Sequence, residues 1–436
     1  MENTQIDMLY YSTNGSDKSV DLCEAVTRSF APDGGVYMPL TVPLIPRALF
    51  NNIEAMSITD IAYIVATSLF GSDIEPALIN SIIKETLDFE IPLVKIAPHV
   101  FSLELYHGPT RTFKDIGAQF MARIIYHLRK SGRISKEQLN LLVATHGDTG
   151  YAVAKAFADM EGVRVFIFHP TKNTVRVPEH VLHQVASNVI SVEVRGNLDD
   201  CQELVRRAYE DEDLNKRLNL TSANSINIAR LLPQTFFYFY AFARLKALGE
   251  ATDNIAVAMP CGNLGNLTAA LFAKQMGLPI QRIMAAGRGH ERLWGSMHQG
   301  ILAVSHFNQK ALSTNLSRIN RLMENDPELG NIVDCYTYSL EEIHDQIMMM
   351  YSSSHYLMGR NGALACRSML ENRRENEVGV FLATDDPMMY ADSISKLLGI
   401  TIPGAAKEER KYHHERHTPL SPTLPAVKHF ILEHSK

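Results

Sequence analysis

Short apolar runs and longer stretches with helical spacing alternate along the chain from about residue 91. Apolar runs of β type predict strands, and apolar residues that recur every three to four positions predict amphipathic helices. The predicted strands are 101–106, 141–145, 164–168, 189–194, 255–259 and 378–384. The predicted helices in this region are 115–130, 151–160, 199–210, 231–248 and 267–276. Strands that alternate with helices indicate a parallel sheet covered on both faces.

The two ends of the chain follow other patterns. The first ninety residues are mixed and loop-rich, with glycines and prolines clustered at 31–39 and a helix predicted over 58–70. The tail at 405–436 is basic and His-rich, then Pro-rich, then apolar. We interpret it as a solvated surface segment. A metal site at His413, His414 and His417 is disfavoured because no second ligand cluster accompanies them.

Composition narrows the class of protein. At about 150 residues per domain, 436 residues suggest two or three domains. The 46% hydrophobic and 21% charged residues are typical of a globular chain. A net charge of −6 argues against general nucleic-acid affinity, which needs clustered cations. Five widely spaced cysteines and a polar N-terminus favour a reduced, cytoplasmic protein, and the apolar stretch at 231–248 is too interrupted to span a membrane.

A lysine occupies an unusual place after the first of these strands. Lys114 begins the helix predicted over 115–130, between Phe113 and Ile116. Lysine is costly to bury, and a cation at a helix N-terminus meets the unfavourable end of the helix dipole. A desolvated lysine has a lowered pKa and reacts with carbonyl groups. The alternative, a helix lysine that reaches out to solvent, stays open from position alone.

Two further loops follow predicted strands and contain closely spaced glycines. Residues 145–150 (THGDTG) offer a hydroxyl and backbone N–H groups at a helix start, which suits a carboxylate or phosphate, although a turn with a helix cap explains them equally. Residues 260–266 (PCGNLGN) lack the P-loop and dinucleotide patterns. Their N–H groups suit a single phosphate, and close packing of helix on strand is the alternative.

Together the three loops describe a site for pyridoxal 5′-phosphate (PLP). Lys114 would hold the aldehyde of the cofactor, residues 260–266 its phosphate, and residues 145–150 the carboxylate of an amino acid. The ring nitrogen needs one more partner, and Thr384, at the end of the strand predicted over 378–384, would offer a hydroxyl. Ligands of parallel sheets bind beyond the carboxyl ends of the strands, where all these residues are predicted to lie.

Residues 9–404 resemble the threonine synthases that carry an additional N-terminal domain, within the fold-type II (tryptophan synthase β-like) PLP enzymes. The most specific match is HGPTRTFKDIGAQF at 107–120. The other matching segments are YSTNG at 11–15, APDGGVYMP at 31–39, GDTG at 147–150, GNLDDCQ at 196–202, NSIN at 224–227 and GNLGN at 262–266.

The resemblance implies a role for each matching residue. Lys114 would be catalytic, holding the cofactor and then moving protons at Cα and Cβ of the substrate. The implied cofactor-binding residues are Lys114, Gly262, Asn263, Leu264, Gly265, Asn266 and Thr384. The implied substrate-binding residues are Thr145, His146, Asp148, Thr149, Asn224, Asn227 and Arg230. No metal site is implied.

The resemblance also implies an activity and a setting. The family converts O-phosphohomoserine and water to threonine and phosphate, as a carbon–oxygen lyase of amino-acid biosynthesis. The expected partner is a small phosphorylated amino acid, with neither nucleic acid nor membrane, and the chain would be a monomer or homodimer. Two alternatives stay open: a PLP lyase or replacement enzyme for another phosphorylated or acidic amino acid, and a PLP-binding paralogue without turnover.

The implied fold is α/β of fold type II, with two three-layer α/β/α domains and a small N-terminal domain. The N-terminal domain would occupy 1–95. The large PLP domain would combine 96–114 with 216–404, and the small lobe would occupy 115–215. The C-terminal tail would occupy 405–436.

Departures from the family pattern cluster in segments expected to face the ligand. His146 replaces the usual serine of the carboxylate loop, and Cys261 replaces the usual hydroxyl residue before the glycines. The other departures are at 285–290, 313–320, 359–363 and 385–386. Within them, Arg288 and Arg360 would suit an additional anionic group, and a surface salt bridge is the alternative for each.

Overall fold

The structure is a computed structural model that describes residues 8–15, 18–135, 137–145, 147–171, 185–289, 294–296, 313–402 and 419–435. Its strands are β1 (Tyr10–Ser12), β2 (Tyr37–Pro39), β3 (Leu93–Ala97), β4 (Val100–Glu104), β5 (Leu139–Ala144), β6 (Val163–Pro170), β7 (Val189–Val194), β8 (Asn219–Ser222), β9 (Ile255–Pro260), β10 (Ile280–Arg288), β11 (Trp294–Ser296), β12 (Val333–Tyr338) and β13 (Val378–Ala383).

The helices in the same ranges are α1 (Leu22–Arg28), α2 (Arg47–Asn52), α3 (Ile58–Phe70), α4 (Pro76–Thr86), α5 (Lys114–Lys130), α6 (Asp148–Ala156), α7 (Leu198–Glu210), α8 (Glu212–Arg217), α9 (Ile228–Leu231), α10 (Phe236–Ala247), α11 (Gly265–Gln275), α12 (Ser313–Asn325), α13 (Glu328–Asn331), α14 (Leu340–Ser354), α15 (Arg360–Asn372), α16 (Ala391–Leu398) and α17 (Leu424–His434). Short 3₁₀ turns lie at Ile53–Ala55, Leu232–Thr235 and Pro387–Tyr390.

Two parallel sheets form the framework of the described chain. The larger has the order β11-β12-β10-β9-β13-β4-β3, in which only β11 and β3, at the edges, run antiparallel to their neighbours. The smaller has the order β7-β6-β5-β8 and is parallel throughout. β1 and β2 form a separate antiparallel pair. The α/β class predicted from the alternating pattern is confirmed.

One apolar core joins the two sheets. Successive side chains of a strand point to opposite faces. In the larger sheet, Val257 belongs to this shared core and Ala258 to a second core on the other face. In the smaller sheet, Val143 faces the shared core and Leu142 a third core on the outer face. Helices therefore cover both faces of each sheet, which explains why its strands read as nearly continuous apolar runs.

The helix predicted over 231–248 is interrupted in the structure. Helix α9 gives way to a 3₁₀ turn that contains Pro233, and α10 begins at Phe236. Proline has no N–H group and clashes with the preceding turn, so a continuous helix is not possible there. Within the described ranges, no helix combines the length and apolarity needed to cross a membrane.

Three segments expected to be ligand-facing loops belong to regular elements instead. Ala285 and Ala286 are fully buried in β10, and only Arg288 reaches the end of that strand. Residues 360–363 form the first turn of α15, and residues 313–320 begin α12. The sequence did not predict these elements because they mix small and polar residues. Their apolar positions are too few to give a clear helical or strand period.

The tail departs from its interpretation as a solvated surface segment. Helix α17 packs Val427 and Ile431 against the outer face of the smaller sheet, in one core with Leu142 and Phe166. Residues 427 and 431 lie one helical turn apart and therefore share a face. That interpretation is wrong for 424–434, while the three tail histidines lie outside the described residues.

The predicted domain limits stay a prediction. Two strands bear on them. β3, at Leu93–Ala97, joins the larger sheet across the expected boundary at 95, and β8, at Asn219–Ser222, joins the smaller sheet beyond the expected limit at 215.

Replacing Ile431 by alanine tests the packing of the C-terminal helix. Ile431 is fully buried, and truncation of such a side chain leaves a cavity, so we expect the free energy of unfolding to fall by about 2–5 kcal/mol. Urea unfolding measures the change. His429→Ala, at an exposed position of the same helix, is the control. Equal stabilities of the two variants would contradict the packing.

Candidate functional site

A cavity of about 1590 Å³ includes the carboxyl ends of both sheets and extends to the starts of β5 and β8 in the smaller sheet. Thr145 follows β5, Cys261 follows β9, Arg288 ends β10, and Thr384 follows β13; all four line it. Lys114 lines it from the start of α5. The three loops singled out in the sequence therefore meet in one place, as expected for parallel strands.

Lys114 faces the cavity. It is the first residue of α5, and no side chain caps the helix. Its Nζ lies 3.4 Å from Oδ2 of Asp148 and 5.5 Å from the ring centroid of Phe113. The carboxylate of Asp148 is almost fully buried. Lys114 therefore has a charged partner inside the cavity, which disfavours the alternative of a helix lysine directed to solvent.

A buried carboxylate holds the loop before Lys114. Asp115 accepts from the backbone N–H of Thr110 at 2.8 Å and from its hydroxyl at 2.6 Å. Burial raises the pKa of Asp115, and the bonds from Thr110 oppose that rise. Gly108 is required here because a Cβ would lie only 2.7 Å from Oδ2 of Asp115. These contacts fix the loop that immediately precedes Lys114.

The loop at 145–150 is organised by one hydroxyl. Oγ1 of Thr145 accepts from the backbone N–H of Gly147 at 2.9 Å and of Gly150 at 3.3 Å. Gly147 has a φ of +127°, which favours glycine, and α6 begins at the next residue. Asp148 and Thr149 also line the cavity. His146 lies outside the described residues.

The loop at 262–266 leads into an uncapped helix. Leu264 has the left-handed conformation (φ 61°), and α11 begins at Gly265 without a side-chain cap. This geometry gathers backbone N–H groups into an anion-binding concavity. Space is open beyond Gly262, where a Cβ would meet nothing within 4 Å. Burial raises the pKa of Cys261, so its thiol stays neutral and does not repel an anion.

The hydroxyl of Thr384 is oriented by the carboxylate of Asp385, the next residue in the chain. Its Oγ1 donates to Oδ1 of Asp385 at 3.1 Å, and its carbonyl accepts from the N–H of Phe113 at 2.9 Å. The proton of the hydroxyl is therefore committed, and the lone pairs remain for a ligand. The second contact ties the end of β13 to the residue before Lys114.

In the segment at 224–230, some of the expected substrate-binding residues line the cavity and one is buried in the scaffold. Asn224 and Arg230 line the cavity, and burial lowers the pKa of Arg230 to about 10 while Asp115 opposes the shift. Asn227 does not reach the cavity lining. It is fully buried and donates to the carbonyl of Val26 at 2.7 Å and to Oγ of Ser29 at 2.9 Å. The structure thus separates Asn227 from the other expected substrate-binding residues.

Two arginines from the divergent segments do line the cavity. Arg288 ends β10 and Arg360 begins α15. Among the described residues, no carboxylate lies within ion-pair distance of either guanidinium. The surface salt bridge considered for each has no partner in that part of the chain.

These residues fit PLP. The open space beyond Gly262 and the uncapped start of α11 suit a phosphate. Lys114 stands in the same cavity, as an aldehyde requires, and Thr384 offers an oxygen to the ring nitrogen. Ser225, between the matched residues Asn224 and Ile226, also lines the cavity and was not predicted as a site residue. Its signal was only its place inside the NSIN segment.

Comparison with known proteins agrees with this geometry. Residues 91–385 match the family model of pyridoxal-phosphate dependent enzymes, and residues 9–87 match the model of the threonine synthase N terminus. The threonine synthase of Haemophilus influenzae is 31% identical over 407 residues, which cover 91% of this chain and 92% of that protein. The chain belongs to the threonine synthase family. It is thus a PLP-dependent enzyme, and the cofactor predicted from the three loops is confirmed.

Solved threonine synthases share the fold. The crystal structure from Escherichia coli has a TM-score of 0.86 at 27% identity, covering 98% of this chain and 100% of that one. The PLP-bound structure from Brucella melitensis has a TM-score of 0.80 at 26% identity, covering 99% and 100%. The predicted fold type II and lyase class are therefore confirmed for this family member.

Paired variants separate the scaffold role of Asn227 from a role in binding. In Asn227→Ala the carbonyl of Val26 and the hydroxyl of Ser29 each lose one of their hydrogen bonds, so we expect the free energy of unfolding to fall by about 1–3 kcal/mol with substrate KM unchanged. Asn224→Ala, at the cavity, should raise KM and leave stability unchanged. Urea unfolding and steady-state kinetics decide. A raised KM in Asn227→Ala at unchanged stability would contradict the assignment.

Proposed function

We propose that this protein is a threonine synthase that converts O-phosphohomoserine and water to threonine and phosphate. The observation that carries the proposal is the position of Lys114 in one cavity with the phosphate loop at 262–266, within a chain that matches both family models. A non-catalytic PLP-binding role is not favoured, since threonine synthases match this chain over most of its length.

Lys114 is the residue that holds the cofactor aldehyde and moves protons at Cα and Cβ of the substrate. PLP, when bound, supplies an electron sink for the negative charge that develops at Cα. Asp148, 3.4 Å from Nζ, orients the ammonium in the cavity. Gly262, Asn263, Leu264, Gly265 and Asn266 hold the cofactor phosphate. Thr384 offers its lone pairs to the ring nitrogen, which matches a protonated nitrogen.

Thr145 and Thr149 receive the substrate carboxylate. The oxygen of Thr145 already accepts two backbone N–H bonds, so its own proton remains to donate. A carboxylate only accepts, and it therefore suits such a donor. Asn224 and Arg230 line the same cavity and complete the expected contacts with the substrate.

Arg288 and Arg360 receive the phosphate of the substrate. Both arginines line the cavity and are exposed, and in the described chain neither is neutralised by a carboxylate. Arginine binds phosphate through charge-assisted hydrogen bonds. The two divergent segments thus supply cations at the position where the leaving group carries its charge.

The wider setting follows the same proposal. The five cysteines are all free, which suits a reducing cytoplasm. The enzyme works there as a monomer or homodimer on a small phosphorylated amino acid. Its chain divides into an N-terminal domain (1–95), a large PLP domain (96–114 with 216–404), a small lobe (115–215) and a tail (405–436). The positions of β3 and β8 favour an earlier start of the large domain and a later end of the small lobe.

An assay with O-phosphohomoserine tests the proposal. The PLP-loaded enzyme should release threonine and phosphate in equal amounts, and Lys114→Ala should abolish both together with the absorbance band of lysine-bound cofactor. Lys130→Ala, at the other end of α5, is the control. Turnover that survives in Lys114→Ala, or no turnover of this substrate by the PLP-loaded enzyme, would contradict the proposal.

Substitution of either cavity arginine tests the phosphate site. Loss of a charge-assisted bond costs about 1.5–3 kcal/mol, so Arg288→Gln and Arg360→Gln should each raise KM for O-phosphohomoserine about ten- to a hundredfold. Affinity for PLP should not change. Arg217→Gln is the control, since Arg217 is exposed and forms an i,i+4 ion pair with Asp213 away from the expected phosphate site. Wild-type KM in both cavity variants would refute the assignment.

A further inference from the structure

The segment at 313–320, which matched the family pattern poorly, packs directly behind the phosphate loop. It begins α12, and two of its polar side chains, Asn315 and Arg318, are almost fully buried. Their hydrogen bonds lead to Ser225 and Asn263, both of which line the cavity. Buried polar groups that are hydrogen-bonded to one another form rigid networks. The direction of each bond in such a network fixes which groups remain able to donate or accept.

Arg318 is the inner end of this network. Its Nη1 donates to the carbonyl of Ser225 at 2.9 Å and to Oδ1 of Asn315 at 2.8 Å. Its Nε donates to the carbonyl of Tyr37 at 2.9 Å, and its Nη2 donates to the carbonyl of Ile226. In the described ranges, no carboxylate pairs with it, and burial lowers its pKa to about 9. The guanidinium thus acts as a set of fixed donors.

The orientation of Asn315 follows from Arg318. An arginine only donates, so the atom of Asn315 that faces it must be the oxygen. The Nδ2 group then points the other way and donates to Oγ of Ser225 at 2.9 Å and to the carbonyl of Asn263 at 2.8 Å. A carbonyl only accepts, which independently requires nitrogen at this position.

The orientation of Asn263 follows in the same way. Its Oδ1 accepts from the backbone N–H of Gly265 at 3.4 Å, so its Nδ2 donates to Oγ of Ser225 at 2.7 Å. Ser225 therefore accepts from two amide groups. A hydroxyl oxygen has two lone pairs and one proton, so both acceptor positions are filled and only the proton is left.

That proton has no acceptor among the residues that the structure describes. Ser225 lies beside the phosphate loop, since a Cβ on Gly265 would meet its Cβ and Oγ at 3.3 Å. A buried donor without a partner is costly, and a tetrahedral oxyanion in the cavity supplies acceptors only. We propose that Ser225 donates its hydroxyl proton to an oxygen of the PLP phosphate, and that Asn315 and Arg318 are positioning residues that enforce this direction.

The inference rests on the proposed function only through its cofactor, and it names the cofactor phosphate over the substrate phosphate because Ser225 touches the loop at 262–266. The discriminating probe is pyridoxal, which lacks the phosphate. Apo-enzyme is titrated with PLP and with pyridoxal by absorbance. Ser225→Ala should bind PLP about ten- to a hundredfold more weakly, with pyridoxal affinity unchanged.

Asn315→Asp reverses the network without removing bulk. A carboxylate at 315 only accepts, so the proton of Ser225 turns toward it and away from the phosphate. The new carboxylate gives the buried guanidinium of Arg318 a charged partner, but it also faces the carbonyl of Asn263, which accepts from Asn315 at 2.8 Å in the wild type, so the two effects on stability oppose each other. We therefore expect weaker PLP binding with unchanged pyridoxal binding. A purely structural role for Asn315 would instead weaken the binding of both cofactor forms alike.

Arg321→Gln is the matched control. Arg321 lies one turn further along α12 and also donates to a carbonyl of the N-terminal region, that of Thr13 at 2.8 Å, but it does not contact the network. Its ratio of PLP to pyridoxal affinity should equal that of the wild type. Equal weakening of PLP and pyridoxal in Ser225→Ala, no change of either, or a change confined to KM for O-phosphohomoserine would overturn the inference. Wild-type enzyme unable to bind PLP would overturn the proposed function as well.

Discussion

The parallel alignment of strands is the constraint on which the site depends. Because β5 is parallel to its neighbours in the smaller sheet and β9 is parallel to β13 in the larger one, the loops that follow them lie at the carboxyl edges of the two sheets, and both edges line one cavity. Hydrogen bonds between the loops hold them in place. One of these runs from the N–H of Phe113 to the carbonyl of Thr384. A lysine, an anion loop and a hydroxyl from distant parts of the sequence thus reach one cavity with little freedom.

Buried polar groups give this cavity its directional chemistry. Asp115 and Arg318 are both buried, which is costly unless every bond is satisfied. Each has several partners in the structure, and each partner is fixed in turn. The hydroxyls of Thr145 and Ser225 accept two bonds apiece and retain a proton, whereas Thr384 gives its proton to Asp385. The site therefore presents donors where anions are expected and an acceptor where a ring nitrogen is expected.

Two of the divergent segments lie in regular elements of the structure. Residues 285–288 stay in β10, and residues 360–363 begin α15. Arg288 and Arg360 stand at the ends of these elements, where a substitution alters the cavity without disturbing the core. Ala285 and Ala286, in the same segment as Arg288, are fully buried. The divergent positions that line the cavity include Cys261, beside the loop at 262–266, as well as Arg288 and Arg360.

By itself, the sequence determined the α/β class, the elements at 58–70 and 189–194, the PLP cofactor and the loops that meet in the cavity. These depend on local period, on glycine spacing and on a lysine at a helix start, all of which are properties of neighbouring residues. Only the tertiary structure decided that Asn227 serves the scaffold, that α17 covers the smaller sheet, and that Ser225 retains a free proton. Each of these depends on which donors and acceptors meet across long sequence separations, and no local pattern records that.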